Sequence, residues 1–242
     1  MPEFIYIEET DSTNNYLKNL LLNQYIEEGT IVYTDFQTAG KGQKGNTWES
    51  KRRKNLLFSI VLYPDAINAR EQFIVSQIIS LAVAESLKKY VGNITIKWPN
   101  DIYWREKKIC GILIENTLIG DQIRESVCGI GININQDIFF GKAPNPVSLR
   151  QITGKYFDLN ILLKEVSAQI DNYYNLLKQN KLGIIKELYK MALFRHEGYH
   201  LYNDGTNDFL AKIKDVEPMG MLVLETQDGE ERSFAFKEVK YK

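Results

Sequence analysis

The 242-residue sequence predicts an α+β fold, with strands at its centre, helices around them and a small antiparallel barrel at the C-terminal end. Three patterns indicate this fold. Apolar and β-branched runs recur between residues 4 and 132, an apolar stripe at helical spacing covers 159–177, and short strands separated by polar turns follow Gly198. We place a boundary near residue 195, which gives one unit of residues 1–195 and a second of 196–242.

The first unit begins with a strand, FIYIE, followed by cap residues and a helix, NNYLKNLLLNQYI. TIVYTDF and NLLFSIVLYP predict strands on either side of a glycine-rich loop. Residues 70–90 contain no Pro or Gly and are almost continuously apolar, which predicts a largely buried helix. The remaining strands and helices are expected at about 93–98, 101–104, 109–117, 123–132, 159–177 and 182–194.

The composition excludes several classes of protein. Thirty Lys and Arg residues against thirty-one Asp and Glu residues give a net charge of −1, whereas a general nucleic-acid binder is normally basic. No apolar run reaches the ~20 residues that a membrane span needs, and the N-terminus does not resemble a signal peptide. We therefore expect a cytoplasmic protein with no specific DNA binding and no membrane partner.

Three further features have simple structural interpretations. Cys110 and Cys128 lack a CxxC spacing and are predicted to be buried free thiols on strands. His196 and His200 stand four apart, but no Cys lies close in sequence and Glu197 is the one acidic residue between them, so we predict no metal site. The basic run at residues 51–54, KRRK, is expected at a solvated loop tip, with an anion or partner contact as the alternative.

Residues 40–48, GKGQKGNTW, form the glycine-rich loop. Bare backbone N–H groups can approach an anion closely, and Lys41 and Lys44 add positive charge. The spacing does not match GxxxxGK[ST]; Gly40, Gly42 and Gly45 match GxGxxG, but the loop enters a strand instead of opening a helix. On that context it is not a P-loop or a dinucleotide fingerprint. Taken alone, the loop is equally consistent with a mobile hairpin tip.

A second group of polar residues lies in the segment 97–116, KWPNDIYWREKKICGILIEN. Pro99 favours an extended Trp98, so Asn100 and Asp101 are expected in a turn at a strand end, where chemistry often collects. An Asx turn that satisfies its own backbone is the alternative explanation.

Glycines interrupt two of the predicted strands. Gly111 follows Lys108 in one strand, and Gly129 and Gly131 lie in the next, GIGININ. Gly111 inside a strand indicates a bulge or the close approach of another molecule; at Gly129 and Gly131 the approach of a ligand and tight packing are equally good explanations.

Taken in order, DSTNN, QTAGKGQKGNTW, KWPND, KKICGILIE and GIGININ resemble the biotin protein ligases, over about residues 1–240. The resemblance implies a mixed β-sheet flanked by helices, with a small C-terminal SH3-like β-barrel that closes over the site or positions the carrier. Because only eleven residues precede Ser12, we expect the monofunctional type, which lacks the N-terminal DNA-binding domain of the bifunctional members.

The resemblance also implies a two-step reaction. Members of this family join biotin and ATP to biotinyl-AMP and then transfer the biotinyl group to one lysine of a biotin carboxyl carrier domain of a biotin-dependent carboxylase. Mg²⁺ would be held mostly by ATP oxygens and water, with few protein ligands. A homodimer is compatible with the family, because some members associate through a sheet edge.

Each site residue is assigned by its match to a motif. The biotin-binding residues would be Ser12, Thr13, Asn14, Gln37, Gly40, Lys41, Gly42, Gln43, Lys108, Gly111 and Gly131. The nucleotide-binding residues would be Lys41, Lys44, Trp48, Asn100, Lys108 and Asn133. The loop would order over the biotin carboxylate and the ATP phosphates.

Two residues are expected to carry the chemistry. Lys108 would be the chief catalytic residue, because a fixed cation must bring a carboxylate and a polyphosphate together. Asp101 would help the acceptor lysine, since a free lysine side chain has a pKa of about 10.4 and must lose its proton before it attacks.

The loop departs from the usual pattern of the family, GRGRRGR. Lys41, Gln43 and Asn46 stand at Arg positions. Because lysine lacks the bidentate fork of arginine, retention of biotinyl-AMP is the property that the departure weakens.

Three other functions compete with this interpretation. A lipoate or octanoate protein ligase shares the two-step logic, but KWPND, Gln37 and the polar residues 12–14 favour biotin. A regulatory protein could sense biotin without transferring it, although Lys108 argues against that. An RNA-binding protein could use the small barrel and the basic run 51–54, but the barrel segment is mixed in charge.

Overall fold

The computed structural model describes residues 3–43, 45–65, 67–141 and 143–242. The strands of the first unit are β1 (Phe4–Thr10), β2 (Ile31–Gln37), β3 (Leu56–Leu62), β4 (Ile94–Lys97), β5 (Asp101–Trp104), β6 (Lys107–Ile119) and β7 (Gln122–Ile132). The helices are α1 (Thr13–Asn23), α2 (Phe73–Lys88), α3 (Leu149–Thr153), α4 (Leu159–Lys178) and α5 (Leu182–Met191). The C-terminal strands are β8 (His200–Asn203), β9 (Asp208–Val216), β10 (Leu222–Thr226), β11 (Glu231–Phe234) and β12 (Lys240–Tyr241).

The first seven strands form one sheet in the order β1-β2-β3-β7-β6-β5-β4. Only the β1–β2 pair within this order is parallel, and the other neighbours are antiparallel. The prediction of a mixed sheet flanked by helices is therefore confirmed.

The main core lies on the sheet face that α2 covers. Thirteen residues of α2 are buried, because this helix is apolar almost all round and is packed between the sheet and the helices α4 and α5. The helix α4 is amphipathic instead and buries only its stripe. Its N-terminus is capped by Asp158, whose carboxylate accepts hydrogen bonds from the backbone of Asn160 at 2.7 Å and Ile161 at 3.2 Å.

The opposite face of the sheet is covered only in part. Leu17 of α1 packs with Val32, Val61 and Val127 in a small second core. The sheet residues that line the candidate site, beside the N-terminus of α1, come from the end of β2 and from β4, β5, β6 and β7.

The last five strands form a separate antiparallel sheet in the order β11-β10-β9-β8-β12. The prediction of a small antiparallel unit at the C-terminus is confirmed, and the boundary near residue 195 stays a prediction. The two units are in contact: the indole Nε1 of Trp98, between β4 and β5, donates to the carbonyl of Gly220 at 2.9 Å.

Several details differ from the sequence-based expectations. The helix expected over 70–90 begins at Phe73, after a short 3₁₀ turn, and α5 ends at Met191 instead of residue 194. The short helix α3 was not predicted, although Ser148 and Gln151 form a capping box whose S-x-x-Q pattern is visible in the sequence. Asp101 is the first residue of β5 and not a turn residue.

The two cysteines are buried on β6 and β7, as predicted, and burial raises the pKa of both thiols. Within the ranges that the structure describes, no helix is long and apolar enough to cross a membrane.

Candidate active site

The floor of the site is a row of residues that lie opposite one another across the sheet. Leu57 pairs with Gly131, Gly131 with Gly111, Gly111 with Asp101, and Asp101 with Lys97. Directly opposite residues point to the same face of a sheet. The two glycines therefore leave a shallow depression, and Asp101 and Lys97 project beside it.

A cavity of about 570 Å³ lies over this row. Its walls come from the N-terminus of α1, the end of β2, the glycine-rich loop, the strands β4 to β7 and the C-terminal segment 236–241. The predicted site residues that line the cavity are Ser12, Thr13, Asn14, Gln37, Lys41, Gly42, Gln43, Trp48, Asn100, Asp101, Lys108, Gly111 and Gly131.

Three of the predicted site residues are not in this group. Gly40 does not line the cavity, because it forms the base of the loop, where its carbonyl accepts from the backbone of Trp48 at 2.9 Å. Asn133 does not line it either: its backbone is bonded to Ile109 and Leu149, and its side chain is buried beyond the end of β7. Lys44 lies outside the described residues.

Lys108 and Asp101 form an ion pair inside the cavity. The ammonium Nζ lies 2.6 Å from Asp101 Oδ1, and each side chain is 23% exposed. Burial raises the pKa of the Asp101 carboxyl, and the positive charges of Lys108 and Lys97 oppose that rise. The carboxylate therefore depends on its lysine neighbours to remain ionised.

Trp48 lies across the two glycines of the floor. A Cβ added to Gly131 would stand 2.5 Å from the indole, and one added to Gly111 would stand 2.8 Å from it. The group that lies close to both glycines is the indole of this chain, which corresponds to the tight-packing alternative; the approach of a ligand stays a prediction. Lys108 Nζ lies 5.7 Å from the centroid of the ring, so tryptophan and lysine share one wall of the cavity.

The polar residues at the start of α1 belong to a hydrogen-bonded network. Gln37 Oε1 accepts from the backbone N–H of Thr13 at 2.8 Å and from its hydroxyl at 3.1 Å. The Ser59 hydroxyl lies 2.7 Å from Thr13 Oγ1 and 2.6 Å from Asn14 Oδ1. These bonds fix the orientation of both the amide and the hydroxyl groups.

Glu115 supports the same network from β6. Its carboxylate accepts from Asn14 Nδ2 at 2.8 Å and from Lys18 Nζ at 2.6 Å. Burial acts to raise the pKa of Glu115, but these hydrogen bonds hold it below its usual range. Asn14 Nδ2 also donates to the carbonyl of Leu113 at 3.3 Å, so both of its N–H groups are used.

The network leaves a small set of polar groups for a ligand. Within the described ranges, the Ser12 hydroxyl and Gln37 Nε2 make no hydrogen bond, and Ser12 does not cap α1 with its side chain. Asn14 Oδ1 accepts one bond and has a second lone pair. The lining of the cavity thus includes two unpaired donors and one acceptor with a lone pair available, on Ser12, Gln37 and Asn14; we call this part of the cavity its inner end.

The described part of the glycine-rich loop is folded as a tight hairpin. Gly42 N donates to Asn46 O at 2.9 Å, and the backbones of Lys41 and Thr47 form an antiparallel β-bridge. Lys41 Nζ donates to Asn15 Oδ1 at 2.7 Å, which ties the loop to α1. The loop therefore stands over the inner end of the cavity.

The basic side chains of residues 51–54 all contact other residues of the protein. Arg52 pairs with Glu9, and Arg53 pairs with Asp35 at 2.6 Å. The ammonium groups at either end of the run lie 5.3 Å from the rings of Phe140 and Tyr156, respectively. These contacts favour the structural interpretation of the run.

Sequence reasoning missed several residues of the site. Ser59 and Glu115 support the polar network, and nothing in the sequence marks them as neighbours of residues 12–14. Lys97 and Tyr103 line the cavity beside Asp101. The KWPND turn could have indicated Lys97, since a tight turn places the residues on its two sides opposite each other.

The described side chains offer no protein cage for a metal ion. Among residues 3–43, 45–65, 67–141 and 143–242, no group of three or more His, Cys, Asp or Glu side chains could hold one. Asp101, the acidic residue of the cavity wall, is paired with Lys108. The described side chains of the cavity therefore fit a Mg²⁺ ion that is bound to a nucleotide and coordinated by phosphate oxygens and water.

Comparisons with known proteins identify the family of the chain and its fold. A model of the biotin/lipoate A/B protein ligase family matches residues 6–133. The bifunctional ligase/repressor BirA of Bacillus spizizenii is 30% identical over 236 residues, which cover 95% of this chain and 71% of the relative. BirA of Escherichia coli is 33% identical over 223 residues, covering 90% and 68%. The structure of a biotin protein ligase from Aquifex aeolicus in complex with biotin and ATP has a TM-score of 0.81 at 26% identity, with 100% of both chains covered.

Proposed function

Because the chain belongs to the biotin/lipoate A/B protein ligase family, we infer that it is an ATP-dependent biotin protein ligase. It forms biotinyl-5′-AMP from biotin and MgATP and then transfers the biotinyl group to a lysine of a biotin carboxyl carrier domain. The observation that carries this inference is one cavity that contains the polar residues 12–14, the glycine-rich loop and the Lys108–Asp101 pair.

The inner end of the cavity suits the ureido ring of biotin. A ureido carbonyl needs hydrogen-bond donors, which the Ser12 hydroxyl and Gln37 Nε2 supply. A ureido N–H needs an acceptor, and Asn14 Oδ1 has a lone pair available. A lipoyl or octanoyl chain has no polar group there and would leave these atoms unpaired, which disfavours such chains.

Lys108 would bring the two anionic reactants together. At ~4 Å in a partly dry site, two unit negative charges repel each other by about 4 kcal/mol. An ammonium placed between the biotin carboxylate and the α-phosphate offsets this repulsion in the transition state. To reach them, Lys108 exchanges its ion pair with Asp101 for contacts with the reactants.

Asp101 would act in the second half of the reaction. The acceptor lysine of the carrier must lose a proton before it attacks the mixed anhydride, and a buried carboxylate beside the reacting carbon can accept it. The position of Asp101, 2.6 Å from Lys108 Nζ, supports this role.

The glycine-rich loop would close over the bound intermediate and exclude water. Lys41, Gly42 and Gln43 line the cavity from the loop, and Trp48 and Asn100 also line it; these last two residues would contact the nucleotide. Gly40 and Asn133 are not part of the proposed contacts, since neither lines the cavity. Mg²⁺ bound to the nucleotide would neutralise the remaining phosphate charge.

The first step is tested by biotin-dependent exchange of labelled pyrophosphate into ATP. We expect exchange with biotin and little with lipoate or octanoate. Lys108→Met should reduce the rate on the order of 100-fold or more, since a fixed charge is lost from the transition state. Lys107→Met, which removes the exposed neighbouring lysine on the same strand, is the matched control and should leave exchange unchanged. Exchange in Lys108→Met at the native rate would remove Lys108 from its role.

A further inference from the structure

Lys97 stands directly beside the Asp101–Lys108 pair. It is the last residue of β4 and pairs with Asp101, the first residue of β5, across the turn 98–100. Directly opposite side chains in a sheet have Cβ atoms about 5 Å apart. The ammonium of Lys97 does not reach ion-pair distance of the carboxylate; it attracts Asp101 over a longer range.

The ammonium of Lys97 is held by a cage of three aromatic rings. Its Nζ lies 4.6 Å from the ring of Tyr103, 5.0 Å from that of Tyr241 and 5.7 Å from that of Phe194. It also donates a hydrogen bond to the Tyr103 hydroxyl at 3.3 Å. Ring faces attract a cation strongly when water is excluded, so the cage fixes the ammonium in place.

The cage joins the two structural units. Tyr103 belongs to β5, Phe194 follows α5, and Tyr241 belongs to β12 of the C-terminal sheet. The rings of Phe194 and Tyr241 are in contact, with centroids 5.9 Å apart. A lysine inside the first unit thus depends on the second unit for one wall of its surroundings.

Asp101 needs a second cation because Lys108 has two tasks. In the structure, Lys108 is the cation in contact with Asp101 among the described residues. In the proposed reaction, Lys108 leaves Asp101 for the reactants. Burial raises the pKa of the Asp101 carboxyl, and the loss of its contacting cation raises it further. A protonated Asp101 could not accept the proton of the acceptor lysine.

We propose that Lys97 is a positioning residue for the transfer step, which keeps Asp101 charged and in place while Lys108 is engaged by the reactants. This inference rests on the proposed function and extends it to a residue outside the motif assignments. The aromatic cage prevents Lys97 from following Lys108 towards the anions, so its charge stays beside Asp101.

Other ionisable groups lie around this pair. Lys97 faces Asp101, Glu106, Lys108 and Arg195, and Asp101 faces Lys108, Lys97, Tyr103 and Cys110. Lys41, Lys237 and Lys240 line the same cavity. Arg195 lies 3.9 Å from Glu106, so these two offset each other. Burial lowers the pKa of Lys97 and the Asp101 carboxylate opposes that change, which is the reciprocal of the effect of Lys97 on Asp101.

The test is the pH dependence of transfer from preformed biotinyl-AMP to a purified carrier domain, measured in single turnovers between about pH 5 and pH 9. Lys97→Met removes the charge and keeps an unbranched apolar side chain in the cage. Lys97→Arg keeps the charge. Lys212→Met is the matched control. Lys212 lies on β9, in the C-terminal sheet, and its Nζ is 5.7 Å from the centroid of the Tyr199 ring, so this change also removes a lysine that contacts a tyrosine ring.

We expect the acidic limb of the profile to move to higher pH by on the order of one unit in Lys97→Met, since Asp101 loses a nearby positive charge. Lys97→Arg should keep the acidic limb of the native profile, even if this variant transfers biotin more slowly. Lys212→Met should have the same profile as the native protein. Titration of the acceptor lysine is common to all variants and cancels in the comparison. An unchanged limb in Lys97→Met would overturn the inference, because a purely structural lysine would lower the rate at every pH alike.

A second measurement uses the native protein and does not depend on a variant that folds. With the sulfamoyl analogue of biotinyl-AMP bound, the ¹³C signal of the Asp101 carboxyl should report an ionised group at neutral pH. A protonated Asp101 in that complex would contradict the inference. Failure of the native protein to form biotinyl-AMP at all would instead refute the proposed function, so the two failures are distinguishable.

Discussion

At the scale of single residues, the site depends on a lysine and an aspartate that neutralise each other before the reactants arrive. Lys108 Nζ lies 2.6 Å from Asp101 Oδ1. Motif matching in the sequence indicated both as chemical residues, because KWPND and the following strand are specific. It did not indicate that they pair, since the pairing depends on the bulged register between β5 and β6.

Asp101→Asn should separate the two half-reactions. Loss of a general base costs on the order of 100-fold or more, so transfer from preformed biotinyl-AMP should slow by that factor. Pyrophosphate exchange should be retained, because Lys108 is released from its ion pair and is still charged. Both rates are measured on the same preparation, with Asp121→Asn at the remote tip of the β6–β7 hairpin as the control. Slowed exchange with normal transfer would refute the assignment.

At the scale of elements, the sheet provides a floor that only glycine permits. From the unusual place of Gly111, Gly129 and Gly131 inside strands, the sequence indicated the approach of a ligand, a bulge or tight packing; in the structure, side chains of the protein lie close to all three. It could not indicate which groups approach, because Trp48 comes from a distant loop and Asn14 from a helix. Contacts of this kind depend on tertiary packing and have no local signal.

Gly129→Ala should weaken biotin binding. A Cβ at this position would stand 2.3 Å from Asn14 Oδ1, and the Asn14 amide would have to move away from the ureido ring. We expect the dissociation constant for biotin to rise by about tenfold or more, since a buried polar group left without its hydrogen-bond partner costs about 1–3 kcal/mol. Calorimetric titration measures this.

The control for this change is Gly92→Ala, where an added Cβ meets nothing within 4 Å. Its affinity for biotin should equal that of the native protein. Equal affinities in all three proteins would show that Asn14 does not contact the ligand.

Glu28 joins the helix α4 to the end of β3. Its carboxylate accepts from the backbone of Tyr63 at 2.9 Å, the Tyr174 hydroxyl at 2.7 Å and Lys178 Nζ at 2.5 Å. Burial acts to raise the pKa of Glu28, but the hydrogen bonds from Lys178, Tyr174 and Tyr63 hold it below its usual range. The sequence contains no sign of this contact, because 146 residues separate Glu28 from Tyr174.

Glu28→Gln should reduce the free energy of unfolding by about 1–3 kcal/mol near neutral pH. Because the pKa of Glu28 is lowered in the folded protein, its stabilisation is complete above the unfolded value of 4.5 and is lost as the pH falls through the folded value. The difference between native and variant should therefore shrink in acid. Urea denaturation at neutral and acidic pH measures it, with the exposed neighbour Glu27→Gln as the control. A difference that is the same at both pH values would contradict the assignment.

At the scale of the whole molecule, the C-terminal sheet completes the cavity. Phe236, Val239 and Tyr241 line it, and Trp98 of the KWPND turn is bonded to Gly220 in the loop before β10. The sequence predicted both units and their order from strand and helix periodicity. It could not predict which residues of the second unit reach the site, because contacts between units leave no periodic pattern.

The central claim is that this one cavity carries out both steps of biotin ligation. Its most direct test is mass spectrometry of a purified carrier domain after incubation with the native protein, biotin and MgATP, with lipoate also present as a competitor. We predict the gain of one biotinyl group on a single lysine, and none when that lysine is replaced by arginine. A carrier domain of unchanged mass, or one that gains a lipoyl group instead, would contradict the account.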